Sequence, residues 1–354
     1  MRRLLSDPRA RAVGALLVAV ALGAAVVLQR RTIFDAVSEI GGLPRSTVAI
    51  LVVLGVIERV SRAEVIRSLL PEMGLVRSEM ISDVGSAASK GIPAGGPIAT
   101  VLRWQLARER NVGPARFIVM LVASGVATAF VSWGYPLLST LIDMVGRERS
   151  LADLAIVGAC TAVIGGSVLF WLVVLQSERV RRAALARSTW LLERLSGVDS
   201  AELESVVDTP ANRAGELVAE VRDGLRGVAR RPVGLLLRTL VAQGTGAVIL
   251  WVALDGLGVG GELGATEFAR VFFVAHILGS LAPTPGGVGV IEAGVTGALV
   301  AAGVDTETAL AGVLVYRFIT YVLPIVIGAV WYVVWRSRGA TRPERLSGGV
   351  NQAS

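Results

Sequence analysis

Leu281-Ala282-Pro283-Thr284-Pro285-Gly286-Gly287-Val288 cannot form the middle of a helix, because proline supplies no N–H and paired glycines favour a turn. Apolar residues nevertheless flank the stretch on both sides. A second stretch of the same make-up lies in the first half of the chain, Gly91-Ile92-Pro93-Ala94-Gly95-Gly96-Pro97. In each, proline leads into Gly-Gly, and a valine follows where a long apolar run begins. The spacing from Gly96 to Val112 matches that from Gly287 to Val304 to within one position, so the two segments align with one gap.

Working outward, the arm from Phe268 to Ala282 is about 22 Å long at about 1.5 Å per residue, enough to pass the midplane of a ~30 Å hydrocarbon core without crossing it. Both clusters therefore read as tips of re-entrant hairpins, over residues 80–110 and 266–303. A bilayer permits such broken backbone only where protein or a wet cavity covers it. The competing reading is that Gly-Gly serves close helix packing, which explains the glycines but not the prolines recurring in register.

The rest of the chain agrees with a membrane setting. Of 354 residues 53% are apolar, 41 are glycine and the mean hydropathy is +0.65. Apolar runs at 12–28, 46–60, 115–141, 151–175, 233–254 and 308–335 give about six transmembrane helices, of which 46–60 is the weakest because Glu58 and Arg59 follow at once. A signal peptide is the alternative for the first run, disfavoured by its length and by the poor cleavage site Val26-Val27-Leu28-Gln29. The fold expected is an all-α integral membrane protein with two broken hairpins.

Basic residues set the orientation. Four precede residue 12, nine lie between 59 and 116, ten between 176 and 232 and four after 335, whereas outward loops hold Arg30, Arg31, Arg45, Arg147 and Arg149. Both termini are then cytoplasmic in a multi-pass protein of the cell membrane. The first hairpin enters from the cytoplasm and the second, preceded by residues 255–265 without Lys or Arg, from outside. The result is an inverted-topology repeat, which points to a transport site near the midplane. The chain divides into a cytoplasmic N-terminus (1–11), a first membrane half (12–175), a cytoplasmic connector (176–232), a second half (233–335) and a disordered tail (336–354). In the connector, Ala214, Leu217, Val218, Val221, Leu225 and Val228 recur at helical spacing, as in an interfacial helix or, alternatively, a partner-binding one.

Composition also excludes chemistries. The lone Cys160 forms no intrachain disulfide, and with His276 as the only histidine no Cys/His cluster can hold zinc or haem, so neither metal nor cofactor is expected. Basic residues flank apolar spans rather than interleave with aromatics, which argues against nucleic acid. No Gly-x-x-x-x-Gly-Lys-Ser/Thr loop is present, against ATP-driven pumping.

Charges at depth mark the candidate substrate path. Glu292 lies five residues past Gly287, and Arg317 sits mid-span beside Tyr316, with Tyr321 one turn on. The two charges form a mutual salt bridge or contact a charged substrate. Arg103, seven residues past Gly96, is the counterpart in the first repeat unless it sits at the cytoplasmic interface with Arg108 and Arg110. His276 is a hydrogen-bonded buried side chain or lines the path. Helix N-termini after the Gly-Gly turns would present free N–H groups to an anion. The path comprises Pro93, Gly95, Gly96, Arg103, Pro283, Pro285, Gly286, Gly287, Gly289, Glu292, Tyr316, Arg317 and Tyr321, with no catalytic residue assigned.

Pro283-Thr284-Pro285-Gly286-Gly287-Val288-Gly289-Val290-Ile291-Glu292, followed by Tyr316-Arg317, Tyr321-Val322-Leu323-Pro324 and Gly328, resembles the lysylphosphatidylglycerol synthase transmembrane-region family. The match in hydropathy extends over most of residues 10–338. Family members are described as flippase-like, and full-length synthases carry a soluble C-terminal aminoacyltransferase domain. After its last span this chain has only the short polar stretch from Arg336 to Ser354, so aminoacyl transfer by the chain alone is not expected. The resemblance implies translocation of a phospholipid, or of a polyprenyl- or aminoacyl-linked lipid with an anionic head group, between leaflets. The alternative is a non-transporting subunit that presents lipid to a separate transferase or glycosyltransferase. An enzyme built on Glu292 lacks a second carboxylate or nucleophile beside it.

Overall fold

The computed structural model describes residues 37–92, 95–144, 151–176, 210–259, 261, 263–281 and 284–340. Regular structure among them is entirely helical, and the protein is an all-α membrane protein. Helix α1 (Arg45–Leu69) ends where Pro71 forces Leu70 out of helical geometry, to φ −129°, ψ 71°. After a short 3-10 turn, α2 (Gly74–Gly91) and α3 (Gly95–Arg108) form the first hairpin. Helices α4 (Pro114–Asp143) and α5 (Leu151–Gln176) follow, then α6 (Pro210–Ala229) and α7 (Pro232–Gly256). Both α4 and α7 open on a proline, whose missing N–H is no loss in a first turn. The second hairpin is α8 (Ala265–Leu281) and α9 (Val290–Ala301). The chain continues in α10 (Thr306–Arg317), a π-helical turn (Phe318–Val322) and α11 (Leu323–Ala340). Asp305 caps α10 by accepting the Thr308 N–H at 3.0 Å, which holds its carboxyl below the usual range.

Three stretches are long and apolar enough to cross a bilayer, Pro114–Leu138, Pro232–Gly256 and Thr306–Ser337. They match the runs read at 115–141, 233–254 and 308–335. The run at 151–175 is α5, whose apolar part Asp153–Leu169 is shorter. The run at 12–28 lies outside the described residues. The run at 46–60 is only the first part of α1, which continues through Glu58, Arg59, Arg62, Glu64 and Arg67. Residues 336–340, assigned from sequence to the tail, belong to α11, and 341–354 lie outside the described residues.

Large apolar side chains face outward as well as inward. Val52 and Val53 on α1, Leu237 and Val241 on α7, and Val330 and Val333 on α11 are all exposed, while the charged Glu58, Asp83 and Arg317 are buried. An apolar outer surface suits hydrocarbon as solvent, where a polar group finds its partners inside the protein.

Helix α1 packs on α7, α2 on both α1 and α11, and α8 on α4. One core joins Ile81, Val84, Leu102, Leu106 and Phe117 to Tyr332 of α11. A second joins Leu254, Phe268, Phe272, Val295, Leu299 and Val313. Leu51, Ile249, Val315 and Ile319 connect the halves. The α2–α11 crossing depends on Gly328, where a Cβ would lie 2.2 Å from the Asp83 carbonyl oxygen. Backbone cannot swing aside, so Gly328→Val is expected to cost about 3 kcal/mol, the upper end of overpacking, and to appear as a lower thermal midpoint in detergent.

The hairpins have their bases at opposite ends of the bundle. At one end Ser68 and Leu69 of α1 share a cavity with Leu235 and Arg238 of α7; at the other, Gly256 closing α7 meets Thr47 near the start of α1. The first hairpin is clipped at its base by the ion pair Arg77–Glu109, by Trp335 Nε1 donating to Glu109 at 2.6 Å and by Arg116–Glu72 at 2.9 Å. The second hairpin follows Gly256, and its tip at Pro285–Gly287 meets α2. The connector helix packs Leu225 and Val228 against Val65, Ala123, Ala127 and Leu235, so part of the apolar face read as leaflet-facing is used inside the protein.

Candidate functional site

The site begins with Pro324. Having no N–H, it leaves the Thr320 carbonyl without the donor that a residue four positions on would normally supply. Lys90, at the end of α2, fills the gap: its Nζ donates to Thr320 O at 2.9 Å. The contact is reciprocal, since Tyr321 Oη donates to Lys90 O at 3.1 Å. The first hairpin tip is thus tied to the π turn by two hydrogen bonds.

The second tip reaches the same turn through Arg317. Its Nε donates to Glu292 Oε1 at 2.7 Å, its Nη2 donates to Gly286 O at 3.0 Å, and its guanidinium lies 4.0 Å from the Tyr321 ring centroid. Gly286 takes the left-handed conformation at φ 61°, ψ 17°, and a Cβ there would fall 2.0 Å from Tyr321 Cε2. Gly287 and Gly289 also have positive φ, so the tip turns on three glycines in conformations that L-residues rarely adopt. Glu292 Oε2 accepts the Gly289 N–H at 2.7 Å, leaving the start of α9 capped by its own carboxylate. The open N–H groups expected at this tip are therefore partly taken.

Beside the tips lies a layer of charge from α1, α2 and α3. Arg59 pairs with Glu79 at 2.6 Å and Asp83 at 2.8 Å, and Arg62 pairs with Glu58. Arg103 packs over Gly85, where a Cβ would be 1.9 Å from its Nε, and that Nε is buried without a hydrogen-bond partner. Glu58, Arg62, Asp83 and Arg317 all act electrostatically on Lys90, and Arg62 acts on Arg103. Among the described residues, Lys90 and Arg103 have no carboxylate in an ion pair.

The sequence candidates distribute unevenly. Gly286, Glu292, Arg317 and Tyr321 meet at one point, while Arg103 packs over Gly85 of α2. Gly95 is a close-approach residue, with the Ala88 carbonyl oxygen 1.9 Å from where its Cβ would be, and Gly96 is exposed. Tyr316 sets its ring edge-on to Phe272 at 6.5 Å rather than facing Arg317's partners. Pro93 and Pro283 lie outside the described residues, as do the side chains of Pro285 and His276.

Sequence reasoning passed over Lys90, Glu58, Asp83, Arg59 and Arg62 as site residues. Two signals were present: Lys90 is the only lysine and directly precedes the first tip, and Asp83 lies seven residues before it on the same side of a helix.

Residues 9–328 match the family model described as the lysylphosphatidylglycerol synthase TM region, and no curated protein matches the chain.

Proposed function

We propose, from the premise that this chain belongs to the lysylphosphatidylglycerol synthase transmembrane-region family, that it carries an anionic phospholipid between leaflets past the meeting point of its two hairpin tips. The family supports a membrane role in lipid modification or flipping. The observation that carries the finer reading is that Lys90 and Arg103 are half-buried cations, neither of them in an ion pair among the described residues, and that Arg103 Nε is buried without a hydrogen-bond partner. An unpaired charge inside a membrane protein costs several kcal/mol, and a phosphate diester entering between α2 and α3 would offset it. Acyl chains would remain in the bilayer while the head group passes.

Bases at opposite ends make the hairpins suitable as two gates, one for each leaflet, related as inverted copies of a single unit. The latch formed by Lys90, Thr320 and Tyr321 would have to part before the head group could pass. Glu292 commits one oxygen to Arg317 and the other to Gly289 N–H, which favours a structural over a catalytic role.

Leaflet exchange of labelled phosphatidylglycerol and phosphatidylcholine in proteoliposomes tests the reading. Lys90→Gln and Arg103→Gln are each expected to slow phosphatidylglycerol exchange at least ~10-fold, which corresponds to loss of about 1.4 kcal/mol of head-group interaction. The elution profiles of both variants should remain those of the folded wild type. Wild-type protein that is folded and exchanges neither lipid would overturn transport and favour the lipid-presenting subunit.

A further inference from the structure

A second feature lies away from the hairpin tips, where α6 crosses the starts of α4 and α7. A cavity of about 500 Å³ there is bounded by Arg116, Arg231 and Arg238, with Glu220 as the acidic residue of α6 facing it. Arg116 already pairs with Glu72, and Arg238 donates to Gly234 O at 2.8 Å. Arg231 has no ion pair among the described residues. The cavity also faces the first turns of α4 and α7, whose unpaired N–H groups and dipoles add positive potential.

An apolar space adjoins this charged cavity. A groove of about 360 Å³ shares Val228 and Leu235 with it and continues along Val122, Val126 and Phe130. Those three residues are spaced by four, so they form one row on α4 about 12 Å long at about 1.5 Å per residue. Val168 of α5 and Leu236 of α7 close its sides. One is cationic and the other hydrocarbon-lined, and side by side they have the chemistry of a single phospholipid.

We infer that this is a binding site for a resident anionic phospholipid, its phosphate among Arg116, Arg231 and Arg238 and one acyl chain along the Val122–Phe130 row. Charge complementarity selects the occupant: three guanidinium groups against Glu220 and the already paired Glu72 favour an anionic head group over a zwitterionic one. The apolar extension separates a lipid from free phosphate, which has no use for it. The bound lipid would fill the gap between the connector helix and the membrane helices. This site shares no residue with the proposed transport path and does not depend on it.

Native mass spectrometry of the full chain in detergent, titrated with palmitoyl-oleoyl phosphatidylglycerol or phosphatidylcholine, tests the assignment. Wild type is expected to retain one phosphatidylglycerol, and Arg231→Gln/Arg238→Gln to bind it about 10-fold more weakly; both side chains are exposed, so the fold should survive. Gly227 has open space where its Cβ would be, so Gly227→Trp should occlude the cavity without displacing backbone and give the same loss. Lys90→Gln should leave this binding unchanged, which separates failure here from failure of the transport reading. Equal retention of phosphatidylcholine, equal retention by both variants, or full displacement by millimolar inorganic phosphate would each overturn the inference.

Discussion

Replacing Arg317 with alanine is expected to destabilise the protein by about 3–5 kcal/mol, because it strips a buried ion pair of one member and leaves the other without compensation. Arg317 is 5% exposed, and its loss would deprive the Glu292 carboxylate and the Gly286 carbonyl of a donor and Tyr321 of the cation over its ring. Thermal unfolding in detergent is the measurement, with a fall of many degrees or loss of the folded peak as the expected result. Glu292→Gln should cost less, since the amide oxygen can still accept from Arg317, and only the Gly289 N–H loses its acceptor. Replacing both residues with Met and Leu should recover much of the stability, as hydrophobic substitutes for buried ion pairs often do. Wild-type stability in Arg317→Ala would mean that the pair is not structural.

Gly286→Ala is expected to abolish leaflet exchange. The left-handed conformation alone costs an L-residue roughly 1–2 kcal/mol. The larger effect is steric, because the new methyl would lie 2.0 Å from the ring of Tyr321, the side chain that binds Lys90 O and stacks on Arg317. The tip must move or the tyrosine must leave, and both separate the hairpins. Adding Tyr321→Ala should restore part of the lost stability by removing the clash, yet not exchange, since without Tyr321 the parted tips cannot close again and the two gates no longer alternate. Normal exchange in Gly286→Ala would refute the idea that the tips act as a gate.

The turns were legible from the sequence because proline and glycine act locally. Pro283-Thr284-Pro285-Gly286-Gly287 breaks a helix whatever surrounds it, and the all-helical membrane class followed from apolar runs of sufficient length. The two Gly-Gly pairs nevertheless do different work: Gly286 and Gly287 adopt positive φ, whereas Gly95 admits the Ala88 carbonyl. One dipeptide thus serves a turn in one place and a close approach in the other, and only the neighbour decides which. The second half of α1 was hard to read for a related reason. Glu58, Arg59 and Arg62 look like the end of a span, but Glu79 and Asp83 on α2 let the helix carry charge inward. The pairing of Glu292 with Arg317 was one of two alternatives in the sequence, and a distance was needed to choose it. Lys90 was missed because its acceptor is the carbonyl of Thr320, on the far side of the chain's midpoint, a contact no local pattern encodes.

The π turn between α10 and α11 also determines how one rod serves two masters. The separation of Arg317 and Gly328 is close to three full turns of an ordinary helix, so an unbroken rod would point both the same way. A wide turn accommodates one extra residue and shifts the downstream phase by about 100°. Arg317 can then address the second hairpin while Gly328 lies against the first. The phase shift acts as a mechanical differential: a roll of this last rod about its long axis would drive the two hairpins in different directions from a single movement.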